Sequence, residues 1–174
     1  MVIMSIISAV LLLGYLGAMA WKHGIPDMVS DTYYQLGKRG YIFTAVMAIS
    51  AILMMVCLLD SGRGLQAAAF IGTMGLIFVG FAPNYLDKDE YKVHKGAAIV
   101  SATGCVAWCL SVSVWPTLII GIIYMLYHTA YNVRKAAEMP YWMPSLCSPW
   151  HPWYWAEVAC FADVFATWYL GVTL

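Results

Sequence analysis

Four histidines and one loop rich in hydroxyl groups are the residues of this chain whose types could support chemistry. The histidines stand at positions 23, 94, 128 and 151, and the loop reads Ser30-Asp31-Thr32-Tyr33-Tyr34. A neutral imidazole can bind a metal, carry a proton or donate to a backbone carbonyl. A serine beside a base can act as a nucleophile, and an aspartate can act as an acid or a base. The candidate catalytic residues are therefore His94, His128, Asp31 and Ser30.

A metal site is one use of these groups, and its candidate ligands are His94, His128 and His151, with zinc as the candidate ion. Each histidine stands alone, without an H-x-x-x-H or H-E-x-x-H pair. A zinc centre would therefore need ligands from several segments. The sequence also lacks a G-x-S-x-G elbow and a Walker phosphate loop, which argues against the enzymes that depend on them. Its five cysteines form no C-x-x-C pair, and their odd number argues against a disulfide framework.

Two carboxylates, Glu157 and Asp163, stand inside an otherwise apolar stretch near the end of the sequence. An aspartate costs roughly 2.5–3.5 kcal/mol to place at the centre of a membrane helix, so such a residue is a functional candidate. Glu157 could reach the interface or pair with Arg134 or Lys135. Asp163 could serve a proton or cation path, or form a structural hydrogen bond between helices. The candidate residues of a substrate or ion path are Tyr33, Tyr34, Asn84, Glu157 and Asp163.

The fractions of hydrophobic and charged residues indicate the class of protein that positions these groups. The chain has 174 residues, of which 63% are hydrophobic and 10% are charged, and its formal net charge is zero. Soluble domains carry about 25% charged residues, so the composition predicts a protein whose solvent is the lipid bilayer. A net charge of zero gives no electrostatic attraction to nucleic acid, and no nucleic-acid partner is expected.

Apolar runs of about 18 to 22 residues match the length that crosses roughly 30 Å of hydrocarbon. The predicted spans cover about 1–21, 41–59, 64–82, 94–114, 116–133 and 153–174. The expected fold is therefore all-α: a single transmembrane domain over residues 1–174, built as a polytopic bundle of six helices. Small residues predict that the third and fourth spans pack closely together. These small residues are Gly72, Gly75, Gly80, Gly96, Ala97, Ala98, Ala102 and Gly104.

The basic residues orient the bundle, because loops that carry lysine and arginine are retained on the cytoplasmic side. Eight of the nine basic residues fall in the loops after the first, third and fifth spans: Lys22, Lys38, Arg39, Lys88, Lys92, Lys95, Arg134 and Lys135. Only Arg63 falls elsewhere. The pattern predicts a multi-pass protein of the cytoplasmic membrane with both termini outside. All four histidines and Asp31 would then lie at the cytoplasmic end, although contact between them does not follow.

Several of these segments together are similar to a known group of proteins. They are the Ser30–Tyr34 run after the first span, Arg39 before the second, the Gly80-Phe81-Ala82-Pro83 ending of the third, and His94 at the start of the fourth. Over roughly residues 20–105, the chain resembles small bacterial membrane proteins, loosely DUF998-like, that carry an S-x-S-x-Y-Y type loop. The resemblance implies a six-helix bundle in which the Ser-Tyr-Tyr loop and His94 act together. It implies no specific activity.

Three classes of function remain open at this point. The first is a membrane-embedded enzyme or binder that handles a lipid or lipid-linked substrate at the cytoplasmic leaflet. The second is an oligomeric channel or transporter in which Glu157 and Asp163 line a proton or cation path. The third is a non-catalytic scaffold or small subunit. The expected partners are the lipid bilayer and further copies of the same chain.

Overall fold

The protein is helical throughout the part of the chain that the structure describes. The computed structural model describes residues 1–84, 86–135 and 151–173, with the backbone alone for 131–135. Within these ranges 87% of the residues are helical and no strand occurs. The expected all-α class is therefore confirmed.

The α-helices run in the order α1 (Val2–His23), α2 (Thr32–Leu36), α3 (Tyr41–Asp60), α4 (Gln66–Phe81), α5 (Lys88–Val112), α6 (Val114–Lys135) and α7 (Pro152–Thr167). Two 3-10 turns, Val29–Asp31 and Gly37–Arg39, flank the short helix α2, and a π-helical turn, Trp168–Val172, follows α7. Among the described residues, α1, α3 and α5 are each long and apolar enough to cross a membrane. Helix α4 and residues Val114–Ala130 of α6 are apolar but shorter. These helices are compatible with a membrane protein.

Helix α5 begins six residues before the predicted span at position 94, and its capping explains the difference. The side chain of Asp87 accepts hydrogen bonds from the backbone N–H groups of Asp89 and Glu90, at 2.9 and 3.3 Å. This N-cap satisfies donors that the first turn of a helix leaves without partners. His94 therefore lies inside the helix, in its second turn, and not at its start.

Five helices surround a common interior, and the sixth long helix lies outside them. A cavity of about 50 Å³ on the axis, which we call the inner cavity, is lined from α1, α3, α4, α5 and α7. One residue from each helix illustrates the ring: Ser8, Ser50, Thr73, Ser101 and Phe161. Helix α6 contributes nothing to this lining and packs against α5 and α7 from outside. The exposed face of α6 is apolar, as a helix facing lipid requires.

Glycines bring α4 and α5 into the close contact that the sequence predicts. A Cβ atom added to Gly72 would lie 2.6 Å from the backbone nitrogen of Cys105, and one added to Gly104 would lie 2.7 Å from the Cα of Gly72. A Cβ on Gly75 would lie 2.7 Å from the backbone nitrogen of Ser101. No side chain fits in these gaps, so the two backbones touch at this interface.

The same prediction was too broad for two of the glycines. Gly80 faces α3, where an added Cβ would lie 3.0 Å from the Cβ of Met47. Gly96 has no neighbour within 4 Å of an added Cβ. A glycine in a membrane helix therefore does not by itself identify which neighbour the helix packs against.

The two ends of the bundle differ in charge. At one end, which we call the basic end, the exposed side chains include Lys22, Lys38, Arg39, Lys88, Lys92 and Lys95. At the opposite end the Cys57 thiol donates to the carbonyl of Met1 over 3.4 Å, and Arg63 donates to the carbonyl of Gly171 over 2.9 Å. The two ends of the described chain therefore lie together, away from the basic end.

Candidate functional site

A cavity of about 80 Å³ lies beneath the basic end, enclosed by the turn at Val29–Asp31 and by α3, α4, α5 and α7. Its polar lining comes from Ser30, His94, Ser101, Glu157 and Cys160, and the rest of its wall is apolar. We call it the polar cavity. Its volume has room for a few water-sized groups, since one water needs about 10–15 Å³ of such space. Ser30, His94 and Glu157 were all predicted as site residues, and the fold places them around one space.

Local hydrogen bonds hold Ser30 at the wall of this cavity. A carboxylate oxygen of Asp31 accepts from the backbone N–H of Met28 over 2.9 Å, and the Thr32 hydroxyl donates to the carbonyl of Val29 over 2.7 Å. These bonds close the turn around Ser30, which is 4% exposed. Asp31 itself does not line the polar cavity. Its observed role is to shape the turn, and its candidacy as a catalytic group gains no support from position.

His94 reaches the polar cavity from α5 and is fixed by the end of α4. Its Nδ1 lies 2.8 Å from the carbonyl oxygen of Ala82, which can only accept, so Nδ1 carries a proton and donates. This bond satisfies a carbonyl that the C-terminus of α4 leaves without a helical partner. The ring is therefore held in one orientation while it forms part of the cavity wall.

Glu157 enters the polar cavity from α7. Its Oε2 accepts from the backbone N–H of Val29 over 2.7 Å, at the short end of the range for N–H···O hydrogen bonds. The prediction that this carboxylate pairs with Arg134 or Lys135 concerns side chains outside the described ones. This hydrogen bond directly connects α7 to the first loop.

Tyr33, Tyr34 and Asn84 do not line the polar cavity. The ring of Tyr33 packs edge-on against those of Tyr34 and Phe43. The Tyr34 hydroxyl donates to the side-chain oxygen of Asn84 over 3.2 Å and accepts from the backbone N–H of Leu86 over 3.0 Å. The backbone N–H of Asn84 in turn donates to Glu90 over 3.0 Å. Loss of solvent around the phenol raises the pKa of Tyr34, so its hydroxyl stays a neutral donor at physiological pH.

The remaining metal candidates lie away from the polar cavity. His128 is on the outer helix α6, with its ring centroid 6.0 Å from that of Tyr124, whose hydroxyl donates to the carbonyl of Pro152. His151 bonds through Nδ1 to the carboxylate of Asp27 over 2.9 Å. Within the described ranges, no three His, Cys, Asp or Glu side chains come together as a metal site. The candidates His94, His128 and His151 are therefore not brought together as one site among the described residues.

Asp163 is buried and hydrogen-bonded at the seam between α6 and α7. The Thr117 hydroxyl of α6 donates to its two oxygens over 3.0 and 2.9 Å, and the Thr167 hydroxyl lies 3.4 Å from one of them. Cys109 of α5 is a further hydrogen-bonding neighbour. Asp163 lines neither the polar cavity nor the inner cavity. Its observed environment matches the structural alternative, a bond between helices.

The inner cavity adjoins the polar cavity. The two share part of their walls, including Ser101 and Cys160. Ser8 donates to the carbonyl of Ser50 over 2.9 Å, while the buried Ser50 hydroxyl has no partner among the described residues. Sequence reasoning did not single out these serines. Isolated hydroxyls inside apolar spans are the signal that could have identified them, because they seek partners inside the protein.

This chain matches no protein-family model, no curated protein sequence and no solved structure. A functional inference therefore depends on the chemistry of the polar cavity. Three residues at that cavity, Ser30, His94 and Glu157, come from the first loop, α5 and α7.

Proposed function

We propose that this chain is a multi-pass membrane protein whose polar cavity binds the headgroup of a lipid or of a lipid-linked molecule at the cytoplasmic leaflet. The observation that carries this proposal is the convergence of Ser30, His94 and Glu157 on one cavity. Buried polar side chains cost free energy unless they are paired. A convergent set of them in an otherwise apolar wall is typical of a small-molecule site.

The proposed topology has six spans, α1 and α3 to α7, with both termini outside, as in the small bacterial membrane proteins that the sequence resembles. The exposed basic residues collected at one end support a cytoplasmic position for that end. The polar cavity then lies next to the cytoplasmic leaflet, whose anionic surface attracts these basic residues.

The site suits a headgroup that carries both a hydrogen-bond donor and a phosphate. The carboxylate of Glu157 accepts, and the hydroxyl of Ser30 can do so, which favours an N–H or O–H group inside the cavity. The lysines and Arg39 of the basic end favour an anion just outside it. An ethanolamine-type headgroup, with an ammonium next to a phosphate, meets both conditions.

The topology predicts opposite labelling of two cysteine variants. In intact cells, Arg63→Cys should react with a membrane-impermeant maleimide, while Lys38→Cys should react only after the membrane is permeabilised. Both positions are exposed and lie at opposite ends of the bundle. The unchanged protein measures the background from its native cysteines. The reverse labelling pattern would overturn the proposed orientation.

The binding site predicts a lipid preference that depends on Glu157. The measurement is a titration of detergent-purified protein with phosphatidylethanolamine, followed by native mass spectrometry. The unchanged protein should bind this lipid about 10- to 100-fold more tightly than Glu157→Gln does, because a charge-assisted hydrogen bond contributes about 1.5–3 kcal/mol. Asp89→Asn, an exposed change at the same end, is the matched control and should bind as the unchanged protein does. Phosphatidylcholine has the same phosphate but no N–H donor, so it should bind weakly to all three. Equal binding of phosphatidylethanolamine by the Glu157→Gln variant would place the site elsewhere.

A further inference from the structure

The roof of the polar cavity is a short segment, residues 25–31, which we call the lid segment. Its Val29 and Ser30 line the cavity. Before it stands Gly24, whose φ of +80° is a conformation that other residues rarely adopt. After it stands Thr32, which is held to α1 by the hydroxyl of Tyr15 over 2.7 Å. The lid segment therefore runs between a glycine that the chain needs for its positive φ and a residue tied to α1.

Among the described residues, three hydrogen bonds join the lid segment to the first turns of α7. The carbonyl of Asp27 accepts from the backbone N–H of Tyr154 over 2.9 Å, and the carboxylate of Asp27 bonds to His151 over 2.9 Å. The third contact joins the N–H of Val29 to the carboxylate of Glu157 over 2.7 Å. Only this third contact lies at the polar cavity, since neither Asp27 nor His151 lines it.

Glu157 therefore accepts a hydrogen bond from the lid segment and also faces the cavity in which the headgroup is proposed to bind. We infer that the Val29 N–H occupies the position of a ligand donor at Glu157, and that an ammonium headgroup opens the lid segment by taking Glu157 from Val29. This inference rests on the proposed binding function and adds its regulation. An ammonium forms a stronger bond to a carboxylate than a neutral amide does. The Val29 N–H released by this exchange can bond to water at the basic end.

The closed lid can be tested without any ligand, by hydrogen–deuterium exchange of residues 25–31 in phosphatidylcholine nanodiscs. Glu157→Ala removes the bond to Val29 and should speed exchange of this segment by about tenfold or more. Asp27→Ala removes only the partly exposed side-chain bond to His151 and should speed it by about two- to fivefold. Asp27 lies outside the cavity wall, so this second variant keeps the test available if Glu157→Ala does not fold. Asp60→Ala, an exposed change at the opposite end, should have no effect. Exchange unchanged from that of the native chain in Glu157→Ala, or in Asp27→Ala if the first does not fold, would overturn the lid.

The coupling to ligand is tested by adding phosphatidylethanolamine to the same nanodiscs. Exchange of residues 25–31 should rise severalfold in the unchanged protein and stay constant in Glu157→Gln, which keeps an oxygen acceptor but loses the charge. If the lipid binds and the exchange is unchanged or slower, the coupling is overturned while the binding function stands. If the lipid does not bind, the proposed function fails together with the coupling, and faster exchange in Glu157→Ala still establishes the lid.

Discussion

Gly72→Val is expected to lower the free energy of unfolding by about 3 kcal/mol or more. This is the upper range for overpacking a closed interface. The Cβ alone would lie 2.6 Å from the backbone nitrogen of Cys105, and the branched side chain needs still more space. The obstacle is the backbone of α5, which cannot rotate away as a side chain can. Relief requires α4 and α5 to separate, which opens the ring around the inner cavity. Thermal unfolding of the detergent-purified protein measures the effect.

The matched control is Gly96→Val, on α5 itself, where an added Cβ has no neighbour within 4 Å. Both changes replace a helical glycine by valine, so their effects on helix propensity are alike. Gly104→Val approaches the same contact from the other helix and should match Gly72→Val. A melting temperature for Gly72→Val equal to that of Gly96→Val would contradict the close packing of the two backbones.

Removal of the Asp163 carboxylate has the second largest expected effect. Asp163→Ala should lower the free energy of unfolding by about 2–4 kcal/mol, because it leaves the buried hydroxyl of Thr167 and that of Thr117 without their acceptor and creates a cavity. The loss should appear first as a looser α6, since Thr117 is the contact of that helix with Asp163. Thermal unfolding and the exchange rates of residues 114–130 measure the two effects.

A double-mutant cycle with Thr117→Val separates this bond from the rest of the environment. The coupling energy between the two changes should be about 1 kcal/mol or more if they share a hydrogen bond. Additive effects would show that Asp163 acts through another partner. Asp163→Asn keeps the size and one acceptor and is expected to fold. If the unchanged protein carries a proton or cation flux in liposomes that the folded Asp163→Asn variant lacks, an ion path through Asp163 replaces the structural tie.

The sequence was sufficient to predict those features of the fold that depend on local chemistry. Apolar runs and their polar interruptions predict helices, and the glycines predict the contact of α4 with α5, because only glycine allows two backbones to touch. Alternating loops also place Ser30, His94 and Glu157 near one end. Whether they meet depends on the order in which the helices surround the interior, and hydropathy carries no information on that order.

This missing information accounts for the contacts that sequence reasoning did not find. His128 was expected at the same end of the bundle as His94, but α6 lies outside the ring, and Tyr127 of α6 packs against Trp155 near the start of α7. Thr117, the main partner of Asp163, is 46 residues away in sequence, and nothing in its surroundings marks it. Pairing across helices is a property of the assembled bundle.

The position of α6 outside the ring also has a consequence for biogenesis. Helix α5 and helix α7 are neighbours in the ring, yet α6 separates them along the chain, so a ribosome must complete α6 before the ring can be closed. In the proposed topology, the hydroxyls of Ser8, Ser50 and Thr73 stand beside an open seam of the nascent chain until α7 arrives. An arrested chain that ends in α6 would expose them to the acyl chains. Membrane quality-control proteases would therefore meet a polar seam on incomplete copies and an apolar surface on finished ones.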